Sequence, residues 1–436
     1  KSYLKCAEDF AVIPGNPISY WGARQVKNIF EEHSTCGQIS DPRQGMATTN
    51  NNRFLRYWYE IDFTHISFGK KTALEGTEIG KGWFPYNKGG DFRRWYGNFA
   101  HIIYYANNGE DLLELVRKKY PRISDPEFVI KNRKYYFQEC LSWSDVTIAT
   151  NSFRHVPLGF IFDVCAPSIF VDEKRLMMDL LAFLNSRVCS YFTSLLNPTV
   201  HFNLGDYRKI PFLKPDDDCS ERAARCIAIC KRDWDLFETS WDFQRNALLI
   251  NDRCDRTVGN SFPSWMLLCN DLVEALGKTE EENNRIFIEA SGLQDELTPD
   301  VPLSEITLTC NPHYRYGPGK SEEELEALLR ADTMKELVSY AIGCMTGRYS
   351  LDAPGLIYAH SGNDQFWEIY CEKHNQLIPS PNTNQCHPCD SPAPLNRDPS
   401  QGVQPGWSTF PPDEHGIIPI TDIDWFPDDA ANHFIH

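Results

Sequence analysis

At 436 residues, 42% hydrophobic and 24% charged, the chain is long enough for two or three domains with cores of their own. It holds no apolar run of about eighteen residues and no export signal, which argues against a helical membrane span and secretion. Its formal net charge of −17 is unevenly spread: residues 1–215 carry 27 Lys/Arg against 22 Asp/Glu, and residues 216–436 carry 16 against 38. A mildly basic first half that can attract polyanions is joined to an acidic second half suited to protein partners or solvent. Fifteen cysteines at irregular spacings form no disulfide framework and point to a reducing cytoplasm. The chain starts at Lys1 and ends at His436 without a terminal tail, which suggests a piece of a longer polypeptide.

In chain order, residues 1–30 form a lead-in. It has a turn-rich stop at Ile13-Pro14-Gly15-Asn16-Pro17 and an amphipathic helix from Tyr20 to Phe30. A strand is expected to start at Gly37-Gln38-Ile39. A polar loop follows, carrying Arg43, Gln44, Thr48, Thr49, Asn50, Asn51, Asn52 and Arg53. Arg, Asn and Gln are the side chains able to contact guanine or adenine edges in bidentate fashion, and Arg also pairs with phosphate. Gly45 permits a tight turn or a close approach to a ligand. A solvated turn of the same composition is the alternative. The strand Phe54 to Tyr59 comes next.

Residues 81–100, KGWFPYNKGGDFRRWYGNFA, interleave aromatic rings with Lys88, Arg93 and Arg94. That mixture suits nucleic-acid backbones and unstacked bases, or a hairpin whose rings face a core. Residues 107–120 read as a helix, with Arg117-Lys118-Lys119 in its last turn complementing the helix dipole. Strands and turns fill 129–175. Lys131, Arg133 and Lys134 precede an aromatic run, Arg154 follows Phe153, and 160–164 is a buried strand. Met177 to Leu195 have helical apolar spacing, ended by Asn197-Pro198 and followed by a turn at Gly205-Asp206.

The acidic run Asp216-Asp217-Asp218 marks a boundary. Beyond it, 216–260 reads as a helical connector whose helix 220–239 carries Ile227, Ile229, Trp234 and Phe237. Residues 261–436 form a C-terminal domain with helices at 262–277 and 321–347 and an irregular Pro/Asn/Ser-rich insertion near 375–412. The expected fold is therefore mixed α/β over 31–215, followed by a mainly α-helical region.

Two motifs invite chemistry. Asn311-Pro312-His313-Tyr314 follows the β-like run Ile306–Cys310 and has the order of the Asn-Pro-Pro-Tyr motif with which amino-methyltransferases hold a flipped base. The third residue is His and no Gly-rich cofactor loop precedes it, so a strand ending in an Asn-Pro turn is the favoured reading. Cys371, His374, Cys386 and Cys389 have the paired spacing of a structural zinc site. No catalytic constellation stands out.

Several long segments carry a resemblance. They include DPRQGMATTNNNRFLR, GWFPYNKGGDFRRWYGN, GFIFDVCAPSIF, LAFLNSRVCSYFTSLLNPTVHFNLGDYRKIPF and SGLQDELTPDVPLSEITLTCNPHYRYG. In this order they resemble the C-terminal portion of the adenine-specific DNA methyltransferase of bacteriophage-exclusion (BREX) systems, the PglX type. The resemblance implies a target-recognition domain like those of type I specificity subunits and fused restriction–methyltransferases, over residues 31–215. It implies a parent that uses S-adenosylmethionine at an upstream site, with no cofactor and no catalytic residue in this piece. The implied role is sequence recognition for N6-adenine methylation of host DNA in phage defence. The implied partners are double-stranded DNA, the upstream methyltransferase domain and other BREX proteins. Arg43, Gln44, Asn50, Asn52 and Arg53 are then the candidates for base edges, Lys88, Arg93, Arg94, Lys131, Arg133 and Arg154 those for phosphate, and Thr48 is a further DNA-binding candidate. The specificity portion of a fused type II restriction–methyltransferase and a protein-interaction module are the alternatives.

Overall fold

The computed structural model describes residues 24–77, 80–146, 150, 152–197, 199, 201–215, 218–250 and 258–358. They fall into two compact units that interleave along the chain. The first draws on residues within 1–55, 67–234 and 266–325, the second on 56–66, 235–265 and 326–436. The helix Cys219–Trp234 belongs to the first unit. No helix among the described residues is long and apolar enough to cross a membrane.

The described residues form eight short strands, the last four consecutive in the chain: β1 (Asp41–Arg43), β2 (Leu55–Tyr57), β3 (Trp83–Asn87), β4 (His101–Tyr104), β5 (Cys140–Trp143), β6 (Phe153–Val156), β7 (Ile161–Phe162) and β8 (Ser168–Phe170). In the first unit one antiparallel sheet runs β1–β8–β5–β6. In another, β3 lies between antiparallel β4 and parallel β7. Every residue of β3 and β5 is buried, so neither strand alternates between a core face and a solvent face. Asn87 on β3 donates to Ser142 Oγ on β5 at 2.8 Å, a polar pin between the two sheets.

The expected single helix from 177 to 195 is two helices, Lys174–Leu184 and Arg187–Leu196. The break has a cause. Asn185 pairs its side-chain amide with the backbone of Phe153, accepting from its N–H and donating to its carbonyl, both at 3.0 Å, as a neighbouring strand would. Ser186 then caps the second helix by accepting from Cys189 N–H. The helix 219–234 packs on 174–184. Its buried stripe is Ala223, Cys226 and Cys230, not the isoleucines; small side chains let the two helices approach closely. The strand expected at Gly37 is a helical turn, Cys36–Ile39, because Gln38 Oε1 accepts from Thr35 N–H in a capping box. The turn at Gly205 is likewise a short helix, Leu204–Arg208, capped by Asn203.

The second unit has a smaller core of Phe243, Tyr340, Cys344 and Tyr349, with the rings of Tyr340 and Tyr349 stacked 5.2 Å apart. Helix Glu322–Met345 supplies two of these side chains.

Candidate nucleic-acid interface

The polar loop is a braced structure. Gly45 lies flat against β7: a Cβ there would sit 2.0 Å from Phe162 O, so the close approach is to the protein's own backbone. Met46 N–H donates to that same oxygen at 3.0 Å, and Ala47 N–H donates to Val129 O at 3.1 Å. Asn50 caps a single helical turn, Asn51–Phe54, by accepting from Arg53 N–H at 3.1 Å. Thr48 is buried and its hydroxyl donates to Asn51, so the DNA contact expected for Thr48 does not fit its placement. Arg43, Gln44, Asn50 and Arg53 are half-buried, and Asn52 is exposed.

Against this loop lies a segment that composition alone had not singled out as a unit. Residues 117–134, RKKYPRISDPEFVIKNRK, hold seven Lys/Arg and two Asp/Glu in a chain whose net charge is −17. Arg117, Lys118, Lys119, Arg122 and Lys134 are exposed. Lys131 donates to Gln44 Oε1 at 2.9 Å, Asn132 to Gln44 O at 2.8 Å, and Lys119 to Thr49 O at 2.8 Å. Arg43 and Lys134 both lie over the ring of Tyr135, at 4.9 and 5.0 Å. Arg133 donates to Tyr105 Oη at 3.0 Å and to Asn108 O at 2.8 Å. Two of the sequence's candidate groups, 43–53 and 131–133, are thus brought onto one surface, and Lys118, Lys119, Arg122 and Lys134 join them. A running charge count over 117–134 would have found these four.

Three expected phosphate contacts are corrected by burial. Arg154 is 0% exposed, donates to Arg93 O at 3.2 Å and to Ser144 Oγ at 3.1 Å, and its pKa is pushed down to about 10 by burial with the charge of Arg93 nearby. Arg93 is 5% exposed and donates to Thr307 O and Thr309 Oγ1, with Asp233 3.5 Å away. Arg94 is 4% exposed and pairs with Glu280 at 3.3 Å and Glu305 at 3.0 Å. Trp95 Nε1–H donates to the other Glu280 oxygen at 2.6 Å. The Arg93 and Arg94 guanidinium groups hold the 92–98 loop to Asp233, to Glu280 in the part of helix Val258–Ser291 that belongs to the first unit, and to the 303–310 stretch. Lys88 is also spoken for, 2.7 Å from the buried Asp163, which accepts from Tyr86 Oη as well.

The methyltransferase-like motif proves structural. Asn311 caps the helical turn Pro312–Tyr316 through His313 N–H and donates its amide protons to Leu303 O at 2.7 Å and Ile306 O at 2.8 Å. With both ends of its amide engaged and the side chain buried, it has nothing left to hold a substrate amine. The run 306–310 forms no strand; Asp233 shapes it instead by accepting from Thr309 and Cys310 N–H at 2.7 and 2.9 Å. The residues around Asn311 therefore do not fit an S-adenosylmethionine-dependent catalytic site. Cys371, His374, Cys386 and Cys389 lie outside the described residues.

Comparison with known proteins adds an ancestry. The adenine-specific methyltransferase PglX of Lacticaseibacillus casei (strain Zhang) is 37% identical over 377 residues, covering 85% of this chain and 29% of that protein. The adenine-specific methyltransferase BrxX of Escherichia coli O9:H4 (strain HS) is 34% identical over 430 residues, covering 97% of this chain and 31% of that protein. The chain thus spans under a third of the length of these curated relatives. No family model matches it. Among solved structures, the type IIL restriction-modification enzyme MmeI in complex with DNA aligns over 70% of this chain and 36% of its own. Its TM-score is 0.32 at 10% identity, too low to carry an argument about fold.

Proposed function

We propose that this chain, a homologue of the BREX adenine-specific methyltransferases PglX and BrxX over most of its length, is the DNA-recognition part of such an enzyme. In this reading the S-adenosylmethionine site and the transfer chemistry belong to the rest of the parent polypeptide. The observation that carries the reading is the surface where the braced 41–53 loop meets the basic 117–134 segment. Exposed cations there match the phosphate backbone, whose neutralisation supplies most of the affinity for DNA. Arg43, Gln44, Asn50, Asn52 and Arg53 beside them offer donors and acceptors to base edges. Arginine and asparagine side chains already held by internal hydrogen bonds lose little further freedom on binding. The target-recognition domain then lies within 31–215, where Arg93 and Arg94 hold the 92–98 loop through buried carboxylates.

The experiment is a methylation map made by the full-length parent. Asn52→Ala and Arg53→Ala should relax or shift the methylated sequence at one position, while Lys118→Ala with Lys119→Ala should lower methylation of every site alike. An unchanged map in both variants would remove the assignment.

The second unit favours a protein partner. Val338, Ile342 and Met345 are 59%, 53% and 49% exposed along one face of helix Glu322–Met345, an apolar stripe of the kind that a protein partner covers. Docking of another defence-system component on this unit is the reading that stripe supports.

A further inference from the structure

Among the described residues, the large apolar side chain most exposed to solvent is Phe128, at 70%. It lies inside the basic segment, so this inference rests on the DNA-recognition reading and deepens it. An exposed phenyl ring costs solvation without benefit to the fold, and its setting is unusually rigid. Asp125 caps the turn Pro126–Phe128 by accepting from Glu127 N–H at 2.9 Å, and Pro126 occupies the first position with its φ already fixed. Three further backbone bonds close the turn: Phe128 N–H to Asp125 O, and Val129 and Ile130 N–H to Pro126 O. Val129 is tied to the polar loop through its carbonyl and Ala47 N–H. Lys131 places its ammonium 5.9 Å from the centre of the Phe128 ring. The ring is therefore a preorganised apolar projection, flanked by the cations of 117–134 and fixed in place relative to the base-reading candidates.

We propose that Phe128 is a wedge that enters the DNA base stack. Proteins that kink or open a duplex insert Phe, Leu, Ile or Met between base steps, and positive charge beside the wedge holds the phosphates on either side. An enzyme acting on the amino group of adenine must take that base out of the helix, which leaves an unstacked step. A phenyl ring beside the reading loop can stack on the bases exposed there and lower the cost of opening. Glu127, the preceding residue, lies 3.8 Å from Arg133, which offsets part of its negative charge.

The test compares two short duplexes of otherwise equal sequence, one fully paired and one with a single central mismatch whose step is already unstacked. A wedge binds the mismatched duplex more tightly because the opening cost has been removed. The chain should prefer it, and Phe128→Ala should abolish the preference, losing about fivefold or more in affinity for the mismatched duplex. Phe128→Trp should retain it. Because the side chain is exposed, both variants should melt with the unaltered chain. If the unaltered chain binds neither duplex, the DNA-recognition reading itself fails. If it binds both, and Phe128→Ala leaves the ratio between them unchanged, DNA recognition stands and the wedge is refuted. In that case the ring is a surface for another part of the parent polypeptide.

Discussion

Replacing Arg94 by Ala separates a buried brace from a DNA contact. The guanidinium is 4% exposed and holds two carboxylates, Glu280 at 3.3 Å and Glu305 at 3.0 Å. Glu305 keeps Arg187 at 3.1 Å, while Glu280 keeps the Trp95 indole N–H at 2.6 Å and the more distant charge of Arg187. Burial already pushes the Glu280 pKa up, with the charge of Arg94 and the indole hydrogen bond working against it. Breaking a buried pair by removing one partner costs about 3–5 kcal/mol, because the other charge stays behind. In a domain of this size that is a fall in melting temperature of roughly 5–20 °C. The sign of the pH effect follows. Without Arg94 the Glu280 pKa in the folded state rises further above its unfolded value. The variant's deficit should therefore be largest near neutral pH and shrink as acid protonates Glu280. Arg94→Ala with Glu280→Gln should recover much of the loss, since Gln still accepts from Trp95. Circular-dichroism melts at two pH values measure all of this. If Arg94→Ala melts with the unaltered chain but loses duplex affinity and salt sensitivity, Arg94 is a phosphate contact and the brace is wrong.

Other perturbations probe the same construction. Gly45→Ala puts a Cβ 2.0 Å from Phe162 O, a backbone atom that cannot swing aside, and should cost more than about 2 kcal/mol; an unchanged denaturation midpoint would contradict the close packing of the loop on β7. Asn311→Ala removes a helix cap and leaves the Leu303 and Ile306 carbonyls short of a donor, about 1–3 kcal/mol. In the full-length parent it should lower the melting temperature in step with any loss of methylation; loss of methylation at unchanged stability would make Asn311 catalytic. The Glu139 carboxyl is held down to about 2 by the hydrogen bond with His155, with Lys174 adding to it. Its contribution is present above about pH 5 and is lost as pH falls toward the folded pKa. Since the side chain is still 31% exposed, screening limits that contribution to about 1 kcal/mol. The gap in melting temperature between the unaltered chain and Glu139→Gln should close over that window, and a gap constant with pH would exclude the pair.

Charge and periodicity made much of this molecule legible. The apolar spacing from Met177 to Leu195 locates the two helices that frame the first unit, although not their break. The break depends on Asn185 meeting Phe153, a contact 32 residues away that no local pattern encodes. Arg93 and Arg94 illustrate a different limit. Arginines amid aromatic rings look alike in sequence whether they face phosphate or a buried carboxylate, and the partners that decide it, Asp233 and Glu280, lie 140 and 186 residues away. Asn311 is similar: the motif is local, but what uses up its amide is the carbonyls of Leu303 and Ile306. The basic segment was readable. Arg117 to Lys119 on one side and Lys131 to Lys134 on the other have separate local explanations, as a helix end and a turn, and only their sum reveals a surface.

The central claim is tested most directly by the salt dependence of duplex binding by this chain, with and without Lys118, Lys119, Lys131 and Lys134 replaced by Ala together. The account predicts affinity that falls steeply with salt, and a slope reduced by about 0.9 for each of those lysines that touches a phosphate. It also predicts only a small fall in melting temperature, because Lys118, Lys119 and Lys134 are exposed and the loss is confined to the bonds from Lys119 to Thr49 O and from Lys131 to Gln44 Oε1. Binding that is insensitive to salt, or a slope identical in both proteins, would contradict the placement of DNA on the 41–53 and 117–134 surface.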